Sequence, residues 1–123
     1  MLKITTVMLG SEDAKGLSDF YAKVLGPPSW DDGGFIGWQL GGAGLMIGPH
    51  SEVKGKNETP GRIILNLESA DFRQEFDRIK ELGATVVKEP YKPGDEENEQ
   101  FWMATFEDTD GNYFQLASPM PEM

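Results

Sequence analysis

The sequence predicts an α+β chain in which one strand, one helix and a group of further strands occur twice. Three observations carry that expectation. The amphipathic stretches that end at Leu25-Gly26 and Leu82-Gly83 stand just under sixty positions apart, and the recurrence of one pattern at a fixed separation marks duplicated units. Each is preceded by a short strand-like segment, Lys3 to Leu9 and Arg62 to Leu67. Each is followed by short extended segments punctuated by Gly, Asp and Asn, the residues of tight reversals. At 123 residues the chain suits one domain with a core of its own and is too short for two independent domains of ordinary size. The expected division is a single domain over 1–123, with module one at about 1–48, a connector at 49–61 and module two at about 62–119.

Taken in order, Lys3 to Leu9 is rich in β-branched residues, with Val7 and Leu9 on one parity and Thr6 and Met8 on the other, the signature of a half-buried strand. Ser11 or Asp13 caps the next segment, where Leu17, Phe20, Tyr21, Val24 and Leu25 recur at helical spacing until Gly26-Pro27-Pro28 stops it. Phe35 to Leu40 and Leu45 to Gly48 read as two strands joined by Gly41-Gly42-Ala43-Gly44, and Trp30 begins or precedes this meander. Pro49 to Gly61 has proline, glycine and charge without apolar periodicity and reads as the connector. The pattern then restarts. Arg62 to Leu67 sets Ile63, Leu65 and Leu67 against Arg62, Ile64 and Asn66. Ser69 or Asp71 caps a helix marked by Phe72, Phe76, Ile79 and Leu82 and ended by Gly83, and Ala84 to Lys88 is a short strand. Phe101 to Glu107 and Tyr113 to Ala117 form a hairpin about Asp108-Thr109-Asp110-Gly111-Asn112.

One helix per module covers one sheet face, because the apolar stripes Val7 and Leu9, Ile63 and Leu65, and Phe114 and Leu116 need burial. The other face carries Thr6, Met8, Arg62, Ile64, Asn66, Tyr113 and Gln115, a mixture of apolar and hydrogen-bonding groups of the kind that lines ligand pockets. Parity adds Phe35, Gln39 and Met103 to that face and leaves Trp38 and Trp102 open.

Composition narrows the chemistry. With no cysteine there is no disulfide, thiolate metal site or cysteine nucleophile. The formal charge of −10 repels polyanions, so no nucleic-acid partner is expected, and a basic or neutral ligand is easier to accommodate. No apolar run approaches the roughly 20 residues that span a bilayer, and the first residues read as a strand, not as a signal peptide, so no membrane partner and a cytoplasmic location are expected. His50 is the single histidine; it follows the last strand of module one, where it either hydrogen-bonds a ligand or points to solvent. Asp95-Glu96-Glu97-Asn98-Glu99-Gln100 is an acidic loop, either solvated surface or a rim for a cationic ligand.

Three stretches resemble one family. Asp19-Phe20-Tyr21-Ala22-Lys23-Val24-Leu25-Gly26, Glu81-Leu82-Gly83-Ala84 followed by Glu89-Pro90, and Asp108-Thr109-Asp110-Gly111-Asn112-Tyr113-Phe114-Gln115-Leu116 together are similar to the vicinal oxygen chelate superfamily of glyoxalases, bleomycin resistance proteins and extradiol dioxygenases. The resemblance implies two tandem βαβββ modules whose sheets curl around a shared cavity with helices outside, and a homodimer. It also marks metal-ligand positions, one on the first and one on the last strand of each module, usually His or Gln and then Glu. Here they fall on Thr6, on Leu45, Met46 or Ile47, on Arg62 and on Gln115. A divalent ion needs about three protein donors with imidazole or carboxylate among them, and Arg62 would add a permanent cation. The expectation is therefore no metal, no cofactor and no catalytic residue. The chain is read as a metal-independent binding protein of the bleomycin-resistance type that sequesters an aromatic or basic compound. Arg62, Asn66, Gln115 and Thr6 would hold the polar part of that ligand, and Met8, Phe35, Met103 and Tyr113 the apolar part, with Gln39 and His50 beside them. The alternatives are a glyoxalase-like isomerase or lyase, with metal ligands at unexpected positions or metal-free with Glu107 or His50 as base, and a subunit whose mixed face docks protein.

Overall fold

The structure is a computed structural model that describes residues 1–94 and 101–119; the acidic run from Asp95 to Gln100 lies outside the described residues. The chain divides into two compact units, Met1–Lys56 and Asn57–Met123. Each holds a four-stranded sheet and one helix of 10 residues or more, the duplicated βαβββ plan.

In the first unit the order is β1 (Thr6–Ser11), α1 (Ala14–Leu25), β2 (Trp30–Asp32), β3 (Phe35–Leu40) and β4 (Ala43–Pro49), and the sheet runs β1-β4-β3-β2. β1 lies parallel to β4, and β4, β3 and β2 follow as antiparallel neighbours. α1 starts where Asp13 accepts the N–H of Gly16 at 3.1 Å and Ser11 Oγ accepts the N–H of Asp13 at 3.0 Å, so both expected cap residues act together. It stops at Gly26, whose φ of 92° a residue with a Cβ rarely adopts. The β3–β4 hairpin is tighter than its four-residue Gly41–Gly44 sequence suggests. Leu40 pairs with Ala43, which leaves Gly41 and Gly42 as the turn, with Gly41 at φ 66° as primed hairpin turns require.

The helix-facing side of this sheet is apolar. Leu17, Tyr21 and Val24 of α1 are buried with Leu45 and Ile47, and register puts Val7, Leu9, Ile36 and Trp38 on the same side. Trp38 is 2% exposed and its indole N–H donates to the Gly26 carbonyl at 2.9 Å, which ties β3 to the end of α1. Trp38 is thus a core residue.

In the second unit the order is β5 (Leu65–Glu68), α2 (Phe72–Glu81), β6 (Thr85–Tyr91), β7 (Met103–Glu107) and β8 (Tyr113–Ala117), and the sheet runs β5-β8-β7-β6. Phe72, Phe76 and Ile79 of α2 are buried with Ala104, Phe106, Phe114 and Leu116, and the rings of Phe76, Phe106 and Phe114 follow one another at centroid separations of 5.3 Å. The β7–β8 turn is held by Asp108, 6% exposed, whose Oδ1 accepts the N–H groups of Asp110 at 2.8 Å and Asn112 at 3.0 Å.

Two expectations need correction here. The sequence pattern starts the first strand of this unit at Arg62, but Pro60–Arg62 forms a one-turn 3-10 helix and pairing with β8 begins at Leu65. Pro60 fixes φ and lacks an N–H, which suits the first turn of a helix better than a strand. Ile63, expected in the buried stripe, is consequently 74% exposed.

Candidate functional site

Each sheet is covered by its helix on one side only, and the side chains of opposite parity form an open face. In the first unit, register places Thr6, Met8 and Gly10 of β1, Gly44, Met46 and Gly48 of β4, and Phe35, Gly37 and Gln39 of β3 on that face, with Trp30 of β2 opposite Gly37. Glycine and large residues alternate there for a steric reason. A Cβ on Gly37 would fall within the indole of Trp30, and one on Gly48 within the ring of Phe35. Two aromatic rings therefore bed directly on backbone, the close approach that glycine alone permits. Met8 and Met46 are paired in register between them; Met8 is 39% exposed and Met46 half-buried.

His50 leaves β4 and folds back across β1: its Cβ stands 3.0 Å from where a Gly10 Cβ would be, and Val53 closes the same spot. Its Nδ1 accepts the N–H of Glu52 at 3.2 Å, so the imidazole is held at the rim of the open face and remains exposed. Gln39 lies at the far end, exposed, its side-chain amide turned back to donate to the Gly41 carbonyl at 3.0 Å. Thr6 is exposed at the start of β1.

The open face of the second unit is more polar. It carries Asn66 of β5, Tyr113 and Gln115 of β8, Met103 and Thr105 of β7, and Lys88 and Tyr91 of β6. Asn66 pairs in register with Gln115, and Gln115 donates from Nε2 to Thr105 Oγ1 at 3.2 Å, which directs its carbonyl oxygen away from that bond. Thr105 is 6% exposed although it faces the open side. The ammonium of Lys88 stands 3.8 Å from the centroid of the Tyr91 ring, a cation-π contact. Glu107, the carboxylate considered as a base, sits at the end of β7 opposite Tyr113 and is half-buried. Arg62 does not join this face as a strand residue; it is exposed on its 3-10 turn.

Trp102 falls on the opposite parity from Met103 and lines a cleft of about 540 Å³ with Ser118 and the start of α2 from Ala70 to Gln74. It belongs to the helix side.

The donor set at the positions marked for a metal is now explicit. The open-face residue of β4 is Met46, a thioether; Thr6 offers an exposed hydroxyl, Gln115 an amide carbonyl, and Arg62 is off the strand. No group of three or more His, Cys, Asp or Glu able to hold a metal ion occurs among the described residues. Neutral amide, hydroxyl and thioether do not fit a hard divalent cation.

Thr105 carries no signal of its own in the sequence, whereas Trp30 stands out there as an aromatic of the meander and Met46 as one of three residues at a metal-ligand position. Gly37 and Gly44 carry the structural signal for Trp30, since a glycine inside a strand marks a place where something large can lie on the backbone.

A family profile described as a glyoxalase-like domain matches residues 6–117. Comparison with curated proteins returns no match. Among solved structures, the chain is similar to a glyoxalase/bleomycin resistance protein/dioxygenase family enzyme from Burkholderia phytofirmans PsJN, at TM-score 0.71 and 20% identity, covering 94% of this chain and 98% of that one. It is similar to TnmS3, an antibiotic binding protein from Streptomyces sp. CB03234, at TM-score 0.73 and 20% identity with 98% of each chain covered. It is also similar to a lactoylglutathione lyase from Agrobacterium tumefaciens, at TM-score 0.69 and 16% identity, covering 94% and 92%. At these identities the likeness concerns the fold, which serves both binding and enzymatic tasks in the neighbours.

Proposed function

Because this chain belongs to the glyoxalase-like domain family, we propose that it is a metal-independent binding protein that sequesters a small aromatic or basic molecule on the open face of its first sheet. The observation that carries this reading is the Trp30 and Phe35 pair bedded on Gly37 and Gly48 beside the Met8–Met46 pair. Rings fixed against backbone have little side-chain freedom left to lose, so a flat ligand stacking on them costs less ordering entropy than one that must immobilise mobile side chains. Thioethers between the rings adapt to irregular apolar outlines. The net charge of −10 favours a cationic ligand over an anionic one at long range. Thr6 and Gln39, exposed at one end of the same face, supply neutral hydrogen-bonding groups of the kind that orient a polar substituent. TnmS3, an antibiotic-binding protein of the same fold, supports a binding role.

A thermal-shift screen of planar basic, planar neutral and planar acidic compounds tests the reading. A ligand at a hundred times its Kd stabilises by about 2.7 kcal/mol, roughly 10 °C for a chain of this size. Binding confined to basic and neutral planar compounds and weakened by Trp30→Ala is the expected result; a screen in which no planar compound shifts the midpoint sinks the proposal. A cytoplasmic homodimer belongs to the same reading, and sedimentation velocity checks its oligomeric part.

A further inference from the structure

The methionines are unevenly placed. Met8, Met46 and Met103 all stand on open sheet faces, whereas the buried helix-side cores contain Leu, Ile, Val, Ala and aromatic residues and no methionine among the described residues. Met1 is fully exposed at the chain start, and Met120 and Met123 lie outside the described residues. With no cysteine in the chain, thioethers are its only oxidisable sulfur. Met8 and Met46 are cross-strand neighbours on the very face proposed to bind, and Met8, 39% exposed, is within reach of a small oxidant.

We propose that Met8 and Met46 are a modification site at which oxidation by a peroxide-class oxidant empties the open face of the first sheet; this rests on the small-molecule reading above. The step balances without a cofactor. A sulfur lone pair attacks the nearer peroxide oxygen, the O–O bond breaks as the S–O bond forms, and the departing hydroxide takes up the peroxide proton and leaves as water. The thioether is oxidised to a sulfoxide and the peroxide is reduced. Each event places a strongly polar S–O group where a ligand would lay apolar surface, so that an apolar ligand seated on the face would strip the group of its water. A buried polar group without a partner costs enough to weaken an apolar ligand roughly tenfold to a hundredfold.

Nile red, a neutral planar dye, serves as the probe. Full-length protein is treated with hydrogen peroxide for increasing times, sulfoxide at Met1, Met8, Met46 and Met103 is mapped by peptide mass spectrometry, and the dye Kd and circular dichroism are measured on each sample. The expected result is tenfold or greater weakening that follows sulfoxide at Met8 and Met46 and not at Met1, with the fold intact. Saturating dye should slow oxidation at Met8 and Met46 and not at Met1. In Met8→Leu/Met46→Leu, peroxide should leave the variant's own untreated Kd unchanged. Untreated protein that binds no dye overturns the binding reading itself. Dye bound with equal affinity before and after oxidation, loss that follows Met103 or unfolding, or loss retained in the double variant overturns the oxidation site alone.

Discussion

Replacing Gly37 with alanine adds one methyl group, and its effect should change sign with the residue at position 30. In the native chain the new Cβ would fall within the Trp30 indole, so the ring must lift from the sheet. Overpacking of this kind costs about 1–3 kcal/mol. The lower half of that range applies, because Trp30 is half-buried on the three-residue edge strand β2 and can move outward. Against this, glycine in a strand interior is less stable than alanine by roughly 0.5–1 kcal/mol, and the φ of Gly37 is not positive, so alanine meets no backbone strain. The net expectation is destabilisation by about 1 kcal/mol. With Trp30→Ala in place the clash is gone and only the backbone term is left. Gly37→Ala should then stabilise by roughly 0.5 kcal/mol or more, a coupling of about 1–2 kcal/mol in the double-mutant cycle. Urea unfolding followed by circular dichroism measures all four proteins. Equal effects of Gly37→Ala in the two backgrounds would show that the ring does not rest on Gly37, and the binding platform argued from it would go as well.

Other consequences are as direct. Asp108→Ala removes the acceptor of two backbone N–H groups in the β7–β8 turn and should cost about 3 kcal/mol in urea unfolding, whereas Asp108→Asn keeps one oxygen in place and should cost less than half of that. Trp38→Phe leaves the Gly26 carbonyl without its indole donor and a gap in the core, for roughly 2–4 kcal/mol. Protein purified without a histidine tag and equilibrated with Zn²⁺, Ni²⁺ or Mn²⁺ should keep its melting midpoint within about 1 °C and retain no stoichiometric metal by elemental analysis, given its amide and thioether donors. Stoichiometric metal would restore the isomerase or lyase alternative.

The duplicated plan was legible because its signals are local. Asp13, Gly26, Gly83 and the Asp108–Asn112 turn each act on backbone within a few positions of themselves, and the structure uses each one where the sequence places it. Alternation through Arg62 and Ile63 misleads about the start of β5, because Pro60 just before them commits the chain to a helical turn. Trp38 could not be assigned from its own segment. Its side is settled by Gly26, twelve positions away, which supplies the acceptor for its indole.

The composition of the open face was harder to read for a reason that bears on function. Core residues announce themselves by being large and apolar at regular spacing, but on this face the informative residues are small. Gly37 and Gly48 matter through what lies on them, and that depends on pairing between β2, β3 and β4, which no single strand encodes. Met46 likewise acquires meaning only from the parallel register that sets it beside Met8. A helix-side core needs bulk to exclude water, so its sequence pattern is dense. A face that beds rings on its backbone has a dilute pattern: glycine, a flexible thioether, an aromatic on the neighbouring strand. The same reasoning separates this face from a metal centre. A metal site concentrates several hard donors at one point, whereas the positions marked for a metal here hold a hydroxyl, a thioether and a neutral amide, a donor set that does not fit a hard divalent ion.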